Sequence, residues 1–203
     1  MRFAGFDSND FEVFSIPDFA GRMGGIRGRV RPRLIELGDD LAGKIEEVVG
    51  LPTFPHVAQH MRRRVNPPDE TWVAFCRDRK GYKRWTHYRV AVSGEGVRVT
   101  VFVEDDADDK AQFGAALERS AARLAIPSVE WYTLDSRTGG VPALKELGKK
   151  LQRLKTAKFQ AGVPLPRSEA VRMEPAAFEE WAVEQVKLLK PLYLAGADPA
   201  YRP

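Results

Sequence analysis

Val30, Leu34, Leu37, Leu41, Ile45 and Val48 recur at three- and four-residue steps, the spacing that lines one face of a helix with apolar side chains. Pro32 belongs in the first turn of that helix or at a kink, Gly38 is a point where it can break in two, and Gly50-Leu51-Pro52 closes it. Ahead of it, Ser8 is the expected N-cap of a short helix through Phe14, stopped by Ile16-Pro17. Three more helices follow the same logic. One carries Phe113, Ala116, Leu117, Ser120 and Leu124 behind an acidic turn; one opens at Pro142 and carries Leu144, Leu147, Leu151 and Leu154; the last starts near Pro175 with Phe178, Trp181, Ala182, Gln185, Leu188, Leu189 and Leu192. His56 to Arg64 also reads as a short helix.

Period two marks the strands. Tyr88, Val90 and Val92 alternate before Ser93-Gly94-Glu95-Gly96, and Val97, Val99, Val101 and Val103 alternate after it, which predicts a hairpin. Trp72 to Cys76 is short and apolar at consecutive positions, as in a strand covered on both faces. Val129–Leu134 and Lys158–Val163 complete five strands, with Arg137-Thr138-Gly139-Gly140 as a loop. Helices come first, then an antiparallel hairpin, then alternation. The expectation is α+β: one domain over residues 1–195, an antiparallel sheet of about five strands with packed helices, and a flexible tail over 196–203.

Composition narrows the class. The 203 residues are 43% hydrophobic and 30% charged, ordinary for a globular chain. No run approaches the roughly 18 apolar residues that a membrane helix needs, so no membrane partner is expected. The start, MRFAGFDSNDFEVF, lacks the basic and apolar stretches of a signal peptide, and cytoplasm is the expected compartment. Cys76 is the single cysteine, which excludes an intramolecular disulfide and a multi-cysteine zinc site.

Charge is placed rather than spread. Between Pro55 and Arg89 stand nine Lys/Arg (Arg62, Arg63, Arg64, Arg77, Arg79, Lys80, Lys83, Arg84, Arg89) against three acids (Asp69, Glu70, Asp78), an excess greater than the +4 of the whole chain. The same stretch holds all three histidines. It also carries Phe54-Pro55-His56-Val57-Ala58, His60, Arg62-Arg63, Val65-Asn66-Pro67-Pro68, Thr71-Trp72-Val73-Ala74-Phe75 and Gly81-Tyr82-Lys83, which resemble the signature of the YktB-like family of bacterial proteins. Gly5-Phe6, Asp10-Phe11-Glu12-Val13-Phe14 and Arg31-Pro32-Arg33-Leu34 fit as well. The resemblance implies a compact α+β domain in a bacterial cytoplasm. The family's function is unassigned, so no catalytic residue is carried over.

The chemistry of the stretch favours an anion. If His56–Arg64 is helical, His56 and His60 at i, i+4 share a face with Arg63 and Arg64, whose planar forks suit phosphate or carboxylate. Arg63, Arg64 and Lys83 then neutralise charge, His56 and His60 donate hydrogen bonds or exchange protons, and Trp72 or Tyr82 forms an apolar wall. Arg77 or Arg84 can add to the site if the strand brings it near. A zinc site on the histidines needs a third ligand, His87 or Asp69, and the glutamate of an HExxH arrangement is missing.

Other readings compete. Arg79–Trp85 mixes base and aromatic as single-stranded nucleic acid requires, and Lys145, Lys149, Lys150, Arg153, Lys155 and Lys158 form a second basic strip. A purely structural or partner-binding module would instead tie His56, His60 and the arginines to internal acids such as Asp69 or Asp78. Cys76 ends an apolar strand and reads as a small buried hydrophobe. Glu104 to Asp109 lacks the glycine and final glutamate of a calcium loop and reads as helix capping. Gly21, Gly24, Gly25 and Gly28 with Arg22, Arg27 and Arg29 only loosely resemble a phosphate loop, because both recognised spacings are absent. No motif implies a cofactor or a reaction, and nothing in the pattern sets an oligomeric state.

Overall fold

A seven-stranded antiparallel sheet in the order β1-β2-β3-β4-β7-β5-β6 organises the chain. The structure, a computed structural model, describes residues 2–61, 63–133, 136–137 and 140–201; Arg62, Leu134, Thr138, Gly139 and the last two residues of the expected tail lie outside them. The strands are β1 (Phe54–Val57), β2 (Glu70–Cys76), β3 (His87–Ser93), β4 (Gly96–Val103), β5 (Glu130–Thr133), β6 (Ser136–Arg137) and β7 (Phe159–Pro166). Five of these are the five expected strands, and the class is α+β. β1 and β6 extend the sheet at its two edges.

The helices are α1 (Ser8–Glu12), α2 (Phe19–Gly25), α3 (Arg31–Val49), α4 (Lys110–Leu124), α5 (Val141–Arg153), α6 (Arg167–Ala170) and α7 (Pro175–Ala197). Asp7, not Ser8, caps α1: its carboxylate accepts the Asn9 N–H while Asp10 accepts the Asp7 N–H, a reciprocal capping box. The glycines from Gly21 to Gly28 form no loop. They lie in α2 and a π-type turn, Ile26–Val30, that runs into α3, so most of their N–H groups serve the helix. α3 does not break at Gly38. A Cβ there would sit 3.1 Å from the Pro55 Cβ and the Val73 Cγ2, so the missing side chain lets α3 lie directly on β1 and β2. Leu34, Leu37, Leu41 and Ile45 are buried by that contact, each contributing about 1.5–3 kcal/mol.

α7 covers β3 and β4 on the same face as α3, with Tyr193 stacked on Tyr88, and α4 packs between α7 and α5. Gly196 and Ala197, expected to begin the tail, close α7 and are buried, and the Gly196 carbonyl accepts from Gln112. The acidic turn before α4 does not cap that helix. Asp109 instead accepts the Thr86 N–H with both oxygens, Asp108 pairs with Arg84, and Glu104 pairs with Arg89 and Lys158. Those acids tie the start of β3 and the end of β4 to their surroundings.

The expected helix His56–Arg64 is the main correction. Phe54–Val57 is an edge strand, paired His56↔Ala74 and Val57↔Val73, and the chain then leaves the sheet through Gln59 and His60. His60 has φ +50°, a left-handed conformation that ends the strand and cannot continue a helix. Local pattern alone favours neither form over so few residues. The unpaired side of β2 decides: its backbone groups need partners, and an edge strand tolerates Pro55.

Candidate functional site

Alternation along the strands places the site. Val73 and Phe75 face α3 and the core, so Trp72, Ala74 and Cys76 face the opposite side of the sheet. The register adds His56 and Arg89 beside Ala74, and His87 two residues before Arg89. The segment between β2 and β3 folds back over these residues. Tyr82 lies 4.9 Å from the His87 ring, 6.1 Å from His56 and 6.5 Å from Trp72, edge-on to both Trp72 and His87.

Beside this lid lies an open cleft of about 910 Å³. One wall is α3, through Arg31, Ile35 and Asp39; the other is Asp78, Lys80, Gly81, Tyr82, Lys83 and Arg84; every residue from Pro55 to Met61 lines it between them. Trp72 and Arg63 complete the lining. The cleft therefore gathers His56, His60, Arg63, Trp72, Tyr82 and Lys83 of the residues expected from sequence. Arg64 is exposed and outside it. Arg77 also turns elsewhere, donating to the Ala197 carbonyl and lying over Trp85.

The two histidines do not share a helical face, yet both reach the cleft. His56 donates from Nε2 to the Asp78 carbonyl at 2.9 Å. His60 sets Nε2 3.0 Å from the Thr71 hydroxyl and its ring edge-on to Trp72 at 5.3 Å. Burial, then the charges of Arg63 and Lys83, lower the His60 pKa to about 4, so its imidazole is neutral near pH 7. Burial pushes the Tyr82 phenol up, and it keeps its proton.

Beneath the lid is a buried polar cluster that the sequence reading missed. Arg89 is 4% exposed, with its guanidinium 3.4 Å from the Phe102 ring centre and 4.3 Å from that of Trp72. It donates to Glu104 Oε1 at 2.5 Å and to His87 Nε2 at 2.9 Å. His87 donates from Nδ1 to the Trp85 carbonyl, so both ring nitrogens are engaged, and burial holds its pKa well below the ordinary value. The available signal was alternation: His87, Arg89 and Ala91 share the face opposite Tyr88, Val90 and Val92. Arg31 was missed as well, because sequence does not say which strand edge α3 approaches.

Among the described residues no three His, Cys, Asp or Glu side chains gather as a metal site, and Asp69 pairs with Arg22. Cys76 is buried, and burial raises its thiol to about 11, which fits a structural role.

The fold and cleft define an α+β protein with a basic, aromatic-walled groove along a sheet edge. Comparison with known proteins gives the kinship. The family described as a domain of unknown function (DUF1054) matches residues 6–193. A UPF0637 protein of Staphylococcus saprophyticus is 33% identical over 193 residues, covering 89% of this chain and 95% of its own. A UPF0637 protein of Lysinibacillus sphaericus is 30% identical over 208 residues (94% and 96%), and one of Bacillus velezensis 29% over 198 (93% and 94%). The chain belongs to this uncharacterised bacterial family, and the resemblance noted in the sequence agrees with it.

Proposed function

We propose that the protein binds a small ligand bearing phosphate or carboxylate groups in the cleft along β1. One observation carries the reading: Arg31, Arg63, Lys80 and Lys83 line the cleft, and none of them is ion-paired to another described residue. Most of the partly buried arginines are paired, as in Arg22–Asp69, Arg29–Asp10 and Arg98–Glu70. Unpaired cations held near one another are stabilised by an incoming anion. Arg63 and Lys83 both depress the His60 pKa, so their fields overlap at that ring. Trp72 and Tyr82 supply an apolar wall, and His56 and the neutral His60 supply hydrogen bonds.

The nucleic-acid reading fits less well. Between Arg84 and Lys158 stands the acidic turn, whose Asp108, Glu104 and Asp105 pair with those two cations. A backbone-tracking surface needs a continuous basic track. The structural reading asked for acids on the histidines and arginines. Among the described residues His56 hydrogen-bonds the Asp78 carbonyl and also helps to lower the pKa of the Asp78 carboxyl, a partial match to that reading, while Arg63 hydrogen-bonds the carbonyls of Asn66 and Pro67 at 3.4 Å and pairs with no acid.

Thermal unfolding in inorganic phosphate or citrate tests the reading. A ligand at about 100 times its Kd adds about 2.7 kcal/mol, a rise in Tm of about 5–10 °C for a chain of this length. Arg63→Ala and Lys83→Ala are expected to abolish the rise while leaving ligand-free stability within about 0.5 kcal/mol, since both are exposed. No shift, or a shift that both variants keep, refutes it.

A further inference from the structure

We infer that the groove takes an extended acidic peptide as an added strand on β1, a reading that rests on the anion-binding cleft and narrows its ligand. Backbone geometry is the starting point. The Ala58 N–H donates to the Trp72 carbonyl at 2.9 Å, and the register continues through His56↔Ala74 and Phe54↔Cys76. Hydrogen-bonded positions alternate in an antiparallel ladder, so Phe54, His56 and Ala58 turn their backbone groups toward β2. Pro55 and Val57 turn theirs to the open edge. Proline is tolerated there because its missing N–H breaks no bond to β2. The edge thus presents the Pro55 carbonyl, both Val57 backbone groups and the Gln59 N–H. None is hydrogen-bonded to another described residue.

An edge of this kind is normally shielded, because it templates pairing with any extended chain. Here it lies in a groove. Arg31, Ile35 and Asp39, one turn apart along α3, form one wall, and the segment from Asp78 to Arg84 forms the other. Side chains of an added strand would alternate between those walls. Apolar Ile35 and Met61 are 44% and 75% exposed at the groove, ready to receive apolar side chains. Arg31, Arg63, Lys80 and Lys83 outnumber Asp39 and Asp78, which selects acidic side chains or a terminal carboxylate. Main-chain bonds give such complexes affinity and alternate pockets give them specificity. The volume, about 910 Å³, is far more than a lone phosphate needs.

Backbone hydrogen exchange of the full chain, followed by NMR with an acetylated, amidated octapeptide alternating Glu and Val, tests the inference. Protection at the Val57 and Gln59 N–H groups is expected to rise about tenfold or more, and that of Ala58, already bonded to Trp72, to change little. A peptide with proline at each Val position, and one with Lys at each Glu position, are expected to lose binding. Val57→Pro removes one edge donor and no bond to β2, so it is expected to weaken the peptide about tenfold while keeping the phosphate and citrate response. Should that variant fail to fold, exchange on the native chain still decides. Unchanged protection at Val57, or equal binding of the prolyl peptide, overturns the inference alone when phosphate and citrate still act through Arg63 and Lys83. Loss of every response overturns the anion reading too. A dimer by sedimentation with Val57 already protected assigns the edge to a second copy and also overturns the peptide.

Discussion

Arg89 carries its charge into a buried site. Desolvation lowers its pKa, while Glu104 at 2.5 Å, the ring faces of Phe102 and Trp72, and the His87 acceptor together hold the cation. Removing Arg89 leaves the Glu104 carboxylate with Lys158, at 3.0 Å, as its one remaining ion pair among the described residues. Arg89→Met is therefore expected to cost about 3–5 kcal/mol in urea unfolding, and adding Glu104→Gln to recover part of that loss. His60 makes a prediction of opposite origin. Its folded pKa, about 4, lies below the unfolded value near 6.5, so the unfolded chain binds the extra proton between them. Stability is complete above about pH 6.5 and falls as pH drops toward 4, by at most about 1.4 kcal/mol per unit from this group. His87, also depressed, adds a loss of the same sign. Urea unfolding of His60→Asn should thus show a shallower acid slope than the parent; an identical slope would remove His60 from the account. Both sites were half legible. Alternation put Arg89 opposite the core valines, but only the lid shows that face to be covered.

At the scale of elements, glycine separates local preference from packing. Gly114 in α4 and Gly148 in α5 meet where the two helices cross: a Cβ on Gly114 would lie 2.7 Å from the Gly148 carbonyl oxygen, and one on Gly148 2.6 Å from that of Gly114. Helix propensity predicts that Gly→Ala gains about 1 kcal/mol at either position. Backbone-to-backbone overlap overrides it, and Gly114→Ala is expected to destabilise by about 1–3 kcal/mol. Gly43 in α3 meets nothing within 4 Å, so Gly43→Ala is the matching control, expected to stabilise by about 0.5–1 kcal/mol. Thermal or urea unfolding of the pair measures both signs. The same contest decided His56–Arg64. His56 and Val57, from a run with a plausible helical face, joined an edge strand because β2 had an open side, while α3, with four fully buried residues on one stripe, was legible apart from the break at Gly38 that the pattern left open.

For the molecule as a whole, charge placement was legible and its partners were not. The excess between Pro55 and Arg89 is plain in the chain, but it divides on folding. Arg84 goes to Asp108, Arg89 to Glu104, Arg77 to a carbonyl and a tryptophan face, and Arg63, Lys80 and Lys83 remain on the cleft with Arg31 from another element. No helix among the described residues is long and apolar enough to cross a membrane, as the hydropathy pattern also says. Sequence by itself determined the α+β class, five strands, most of the helices and the stretch that supplies most of the cleft lining. Those depend on periodicity and local turn chemistry, which neighbouring residues carry. Tertiary structure alone decided that β1 is a strand, that Arg31 joins the cleft while Arg64 does not, and which backbone groups face the open edge. Such outcomes depend on pairing between segments far apart in the chain, where one unsatisfied strand edge outweighs the weak preference of nine residues.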